Sequence, residues 1–219
     1  MHGKKNHMMR TVFVLLGIIG LSFGLFVSQY MHRTSTAPMS QFHGTWLEKP
    51  RKVGKFELNG TDNVLFNNDR LKNHWTMMFF GFTSCSSICP TTLAELGKMI
   101  RLLEDKGVKQ LPEVVLVSLD PERDSVETLK QYVTAFNPHF YGASGANEAV
   151  VKAMASEMGV AYTKIALANS TDEKNYNIEH TGTVMLFNPQ GQLSAFFTMP
   201  HNAQLLAEDY QWAIAKYGS

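Results

Sequence analysis

The sequence predicts an α/β fold: a central mixed sheet with flanking helices, behind an N-terminal transmembrane helix. Three observations lead there. Apolar runs at residues 76–82 (TMMFFGF) and 114–119 (VVLVSL) read as buried central strands. Each is followed by apolar residues at helical spacing. Late in the chain, two more apolar runs flank the turn sequence Asn188-Pro189-Gln190-Gly191, ahead of a final amphipathic helix. Strands alternating with helices, closed by a hairpin and a helix, give a sheet of mixed direction.

Size and composition agree. Of 219 residues, 44% are hydrophobic and 18% charged, which excludes a mainly disordered chain. Setting aside about 45 N-terminal residues leaves one ordinary domain. The formal charge is only +1, so no nucleic-acid footprint is present. The charge is unevenly spread, however. No Asp or Glu precedes Glu48, and residues 1–47 carry +4 against −3 for the remainder.

Residues 1–10 read as a cytoplasmic N-terminus containing Lys4, Lys5 and Arg10. Residues 11–27 (TVFVLLGIIGLSFGLFV) hold no charge, and extension to Tyr30 gives 20 residues, enough to cross a bilayer. The preceding positive charges place the N-terminus inside and the domain outside, so residues 11–30 predict a single-pass anchor in the inner (cytoplasmic) membrane. A cleaved signal peptide fits less well: the apolar stretch is long, and Pro38 follows the small residues Ser35-Thr36-Ala37. Residues 31–50 are polar, with Pro38, Gly44 and Pro50, and read as a tether to a domain at 51–219.

Within the domain, Phe56 to Thr61 and Val64-Leu65-Phe66 suggest a hairpin turning at Asn59-Gly60. Leu93, Leu96, Ile100 and Leu103 mark a helix closed by Gly107. Asp124-Ser125-Val126-Glu127 reads as a helix cap with its acid three residues on, leading to Leu129, Tyr132, Val133 and Phe136. Val150, Met154 and Met158 mark the next helix, ended at Gly159. Residues 169–177 read as a polar loop. The last helix buries Leu206, Tyr210, Ala213 and Tyr217.

Chemistry concentrates at Phe80-Gly81-Phe82-Thr83-Ser84-Cys85-Ser86-Ser87-Ile88-Cys89-Pro90, between a buried strand and a helix. Strand carboxyl ends and helix N-termini are where α/β folds place their sites. A bridge between Cys85 and Cys89 would close only five residues and stabilise little, about 2 kcal/mol, so stability is a poor reason for this spacing. Helix N-terminal amides favour thiolate, which attacks disulfides and binds soft metals. The exported side of a membrane is commonly oxidising. The spacing alone leaves redox exchange and metal binding open. With two cysteines the chain has neither a disulfide-dense scaffold nor a four-cysteine metal site.

A third ligand would separate the alternatives, because two thiolates suit monovalent copper and an added imidazole also accepts divalent copper or zinc. Of eight histidines, His2, His7, His32 and His43 fall before the domain and read as solvated. His74 and His139 fall in turns or loops, and His201 reads as a cap. His180 stands apart, just before the strand at residues 183–187. The twelve methionines follow core and anchor patterns and do not form a copper-binding cluster.

From about Thr45 onward the chain resembles the Sco/SenC family of membrane-anchored, thioredoxin-like copper proteins. The residues that carry the resemblance are Gly44-Thr45-Trp46-Leu47, Phe80-Gly81-Phe82-Thr83 with Cys85 and Cys89-Pro90-Thr91-Thr92-Leu93, Leu119-Asp120-Pro121-Glu122-Arg123-Asp124 and Glu179-His180-Thr181. The resemblance implies that Cys85, Cys89 and His180 bind one copper ion (Cu+ or Cu2+). It further implies delivery to the binuclear copper site of cytochrome c oxidase, or reduction of acceptor thiols there. Asp120 matches a family aspartate near the site, with an expected supporting or partner-recognition role. The family usually has Pro-Asp directly after the first cysteine; here Ser86-Ser87 removes a negative charge beside the thiolates and changes the surface a partner meets. Thioredoxins carry a cis-proline where this chain has His180-Thr181-Gly182-Thr183, a departure from a general disulfide reductase. A thiol–disulfide oxidoreductase or redox sensor using Cys85 and Cys89 is the alternative. A thioredoxin-superfamily peroxidase ranks lower, with Arg123 its one obvious supporting residue.

Overall fold

The computed structural model describes residues 16, 19–24, 41–167 and 175–217. Two units separate, Met1–Gln41 and Phe42–Ser219. In the first, Leu16 and residues 19–24 are helical with exposed apolar side chains. The rest of the predicted 11–30 anchor lies outside the described residues, as do residues 1–10. Among the described residues no helix is long and apolar enough to cross a membrane.

The second unit is organised around one strand. β4 (Thr76–Gly81) is buried at every position. It pairs parallel with β5 (Glu113–Ser118) and antiparallel with β9 (Val184–Phe187). These strands read as unbroken apolar runs because neither face meets water. β6 (Tyr141–Ser144) extends the sheet parallel to β5, and β10 (Leu193–Phe197) extends it antiparallel to β9. β1 (Thr45–Arg51) forms one edge, and β2 (Glu57–Gly60) with β3 (Leu65–Asn67) the other, giving the order β1-β10-β9-β4-β5-β6-β2-β3. The mixed sheet is the expected one. A separate two-stranded ribbon pairs β7 (Tyr162–Ala166) antiparallel with β8 (Tyr176–His180).

Four helices flank the sheet: α1 (Ile88–Asp105), α2 (Val126–Thr134), α3 (Glu148–Met158) and α4 (Ala203–Tyr217). α1 buries Leu93, Leu96, Ile100 and Leu103, and Gly107 follows it at φ 71°. Gly159, at φ 74°, ends α3 in the left-handed region that glycine occupies without strain.

Several local expectations change. Asn59-Gly60 lies inside β2, and the turn falls after it, with Asn63 at φ 63°. Gly60 is needed for packing: a Cβ there would run into the Tyr141 hydroxyl. Ser125, not Asp124, caps α2 by accepting from the Thr128 N–H at 3.1 Å. The predicted polar loop 169–177 runs into β8 at Tyr176, and β6 and β7 carried too few apolar residues to stand out. Tyr217 is 39% exposed.

Of the predicted tether at residues 31–50, residues 31–40 lie outside the described residues, and from Thr45 onward the chain is edge strand β1. What holds this entry is Asp209 of α4, buried to 1% exposure. Its carboxylate accepts from the backbone N–H of His43 (2.9 Å) and of Gly44 (2.9 Å), and pairs with His43 Nδ1 at 2.9 Å. His43 is therefore tied down and not simply solvated. Phe42, Trp46, Trp212 and Phe197 pack ring against ring beside it. Replacing Asp209 by Ala strands two N–H groups and should cost about 2–4 kcal/mol. Thermal unfolding should show a midpoint lower by roughly 5–15 °C, with Asp209→Asn losing less. An unchanged midpoint in the alanine variant would remove Asp209 as the anchor of this end.

Candidate metal centre

The site forms where β4 stops. Gly81 ends the strand, a short loop carries Cys85, and α1 begins at Ile88 with Cys89 in its first turn. Cys89 is buried and Cys85 half-buried, and the two are unbridged. The Cys89 N–H points at Cys85 Sγ, 3.4 Å away, so a helix N-terminal amide faces the first sulfur. Gly81 makes room for the second, since a Cβ there would lie 2.7 Å from Cys89 Sγ.

The loop is braced from beneath. Thr83 donates its N–H (3.1 Å) and its hydroxyl (2.5 Å) to Asp124, and Ser118 donates its hydroxyl to the same carboxylate at 2.7 Å. Burial pushes the Asp124 carboxyl up, against the lowering effect of these donors. Sequence reasoning placed Asp124 at a helix cap and missed this role. The signal that such an acid has another duty is Ser125 beside it, an equally good cap.

His180 arrives from the far side, at the end of β8. Its Nε2 lies 3.5 Å from Cys89 Sγ, and its ring rests against Phe79 and Phe82, centroids 6.1 and 5.9 Å away. Nδ1 is 3.1 Å from the Thr181 carbonyl. A carbonyl only accepts, so Nδ1 carries a proton, and Nε2 is the ring nitrogen turned toward the sulfurs. Cys85, Cys89 and His180 each offer one donor atom, all within 4.8 Å of one another. Thiolate and imidazole bonds of about 2.0–2.3 Å, as to zinc, put donors sharing one ion at most roughly 4.6 Å apart. The three groups therefore fit a single soft ion with little adjustment.

The two thiols share one proton. The Cys85 thiol falls from 9.0 to about 3, chiefly through the hydrogen bond from the Cys89 thiol, with His180 and the Cys89 and Ser87 N–H groups adding to it against burial. Cys89 moves the opposite way, held as a thiol by the Cys85 thiolate and by burial.

Residues 45–215 match the family model described as SCO1/SenC. The chain belongs to the SCO1/SenC family. A SCO2-like protein of Rickettsia prowazekii is 31% identical over 175 residues, covering 80% of this chain and 83% of that protein. The crystal structure of Arabidopsis thaliana ScoI with copper bound superposes with a TM-score of 0.67 at 30% identity, covering 75% of this chain and 99% of that one. The solution structure of apo Sco1 from Thermus thermophilus gives 0.68 at 32% identity, covering 80% and 98%. The expected thioredoxin-like fold is thus the observed one.

Asp120, the acid that the SCO1/SenC resemblance singled out, is fully buried. It pairs with the Arg123 guanidinium and accepts from the Tyr176 hydroxyl at 2.6 Å. Its carboxylate has no exposed surface and is engaged by these two side chains. His201 is not the cap of α4: Asn202 accepts from the N–H groups of Gln204 and Leu205, while His201 Nε2 bonds the Gly182 carbonyl at 2.7 Å. His74 pairs with Glu113 at 3.2 Å, away from the centre.

Because the Cys85 value is depressed, its thiolate persists as pH falls, down to about pH 3. In the reduced, metal-free protein at pH 5, iodoacetamide should label Cys85 and spare Cys89, read peptide by peptide by mass spectrometry. Labelling of Cys85 that begins only above pH 8 would contradict the shared-proton arrangement.

Proposed function

We propose that this protein is a membrane-anchored copper metallochaperone: it binds one copper ion through Cys85, Cys89 and His180 and delivers it to the binuclear copper site of cytochrome c oxidase. The observation that carries the reading is the convergence of two sulfurs and one imidazole nitrogen from three separate chain segments within 4.8 Å. Membership of the SCO1/SenC family and likeness to an Arabidopsis ScoI solved with copper bound support copper as the ion. The uncharged stretch at residues 11–27, with Lys4, Lys5 and Arg10 before it, supports a single-pass anchor with the domain on the exported side.

The chemistry follows from the unequal exposure of the donors. Cys85, a half-buried thiolate, receives the ion first. Cys89 must lose its proton to complete the set, so loading releases one proton to solvent. The Nδ1–Thr181 bond keeps the His180 lone pair on Nε2, fixing the ring without further rearrangement. Delivery is ligand exchange: an acceptor thiolate enters beside half-buried Cys85 and displaces it, and buried Cys89 leaves last.

A second reading is thiol–disulfide exchange, in which the pair keeps acceptor cysteines reduced. Unbridged sulfurs, one already a thiolate, favour it. There Cys85 attacks an acceptor disulfide, Cys89 resolves the mixed disulfide, and His180 is dispensable.

Copper titration of the reduced full chain against a competing chelator separates the two. The chaperone reading expects one copper per chain, loss of binding when the cysteines are oxidised, and at least a 10-fold weakening in His180→Ala. No copper binding by the wild type, with thiol–disulfide exchange intact in His180→Ala, would establish the redox reading instead.

A further inference from the structure

The third donor is carried by an element outside the main sheet. β7 and β8 pair only with each other, and His180 is the last residue of β8. Its position relative to the cysteines depends on whatever fastens this ribbon down. We infer that Arg123 does this: it is a positioning residue for the metal centre, clamping β8 so that His180 reaches Cys89. The inference rests on the reading of His180 as a copper ligand.

Arg123 leaves β5 on the loop that leads to α2, and its side chain touches both ligand-bearing segments. Toward the ribbon, Nη1 donates to the Tyr176 carbonyl at 2.9 Å, and the guanidinium stacks 3.9 Å above the Tyr176 ring. Toward the cysteine loop, it lies 5.9 Å from the centroid of Phe82, whose ring in turn meets His180. Asp120 fixes the clamp: it pairs with the guanidinium and accepts the Tyr176 hydroxyl, so one buried carboxylate grips both partners. Tyr176 begins β8 and His180 ends it. An extended strand of that length is stiff, so a hold on its first residue sets the place of its last.

Ile178 of β8 is also buried in the core, but apolar packing is non-directional, and the other polar attachments are weaker. Lys164 of β7 pairs with Glu122 and Glu148, whose side chains are 54% and 45% exposed, and such pairs contribute little. The Thr181 N–H bond to the Ala161 carbonyl, at 3.3 Å, joins the two arms of the ribbon to each other and not to the sheet. The clamp requires arginine. A planar fork can stack on the tyrosine face while donating to a carbonyl and a carboxylate, which an ammonium cannot do.

The test is a double-mutant cycle on copper affinity in the reduced full chain, with Arg123→Ala and His180→Ala singly and together. Arg123→Ala alone should weaken binding about 10–100-fold, the scale expected when a group that orients a ligand is lost. In the His180→Ala background it should weaken binding no further, because the ligand it positions is already gone. Arg123→Lys and Tyr176→Phe, gentler to the fold, should show smaller losses with the same non-additivity. In the copper(II) form, electron paramagnetic resonance of Arg123→Lys should show reduced nitrogen coupling from the imidazole. Equal losses with and without His180, or unchanged nitrogen coupling in Arg123→Lys, would overturn the clamp while leaving the ligand set intact. Unchanged affinity in His180→Ala alone would overturn the ligand assignment, and the clamp with it.

Discussion

The Cys89 sulfur is buried against the end of β4, and the rest of the centre depends on that placement. Gly81 has no Cβ, which lets the sulfur settle over the strand terminus. A sulfur held there is poorly solvated and keeps its proton. Its S–H donates a hydrogen bond to Cys85, which is thereby held as the thiolate. One packing decision at the edge of the core thus sets the charge on two residues four positions apart.

Two buried carboxylates from one stretch, Asp120 and Asp124, divide the support of the site. Asp124 braces the loop that carries Cys85, through Thr83 and Ser118. Asp120 braces the ribbon that carries His180, through Arg123 and Tyr176. The loop after β5 is therefore the common base for both halves of the donor set, although it contributes no donor itself. Burying an acid without a partner is costly, and each of these is satisfied by several donors. Such fully satisfied networks define geometry more than they add stability.

The elements that were legible in the sequence are those whose pattern is set by burial alone. TMMFFGF and VVLVSL are short unbroken apolar runs, as central strands are, and Leu93, Leu96, Ile100 and Leu103 recur at the spacing of a buried helix face. The cysteine pair and His180 stood out for the same reason, as donor groups set beside such strands. The rest depends on contacts between residues distant in the chain. Gly60 looks like a turn residue and is in fact dictated by Tyr141 some eighty positions on. Asp124 looks like a cap and serves Thr83. The β7–β8 ribbon has a solvated face and few apolar positions, so its pairing left little trace. His43 gave no sign that Asp209 awaited it 166 residues later.

That last contact has a consequence for the whole unit. The chain enters at Phe42 and finishes with α4, and a single carboxylate on α4 holds the backbone of the entry. Ordinarily the two termini of a domain loosen independently, each at its own small free energy. Here neither can fray without releasing the other. The first strand and the final helix should exchange their amide hydrogens as one cooperative unit, even though almost the entire domain separates them in sequence.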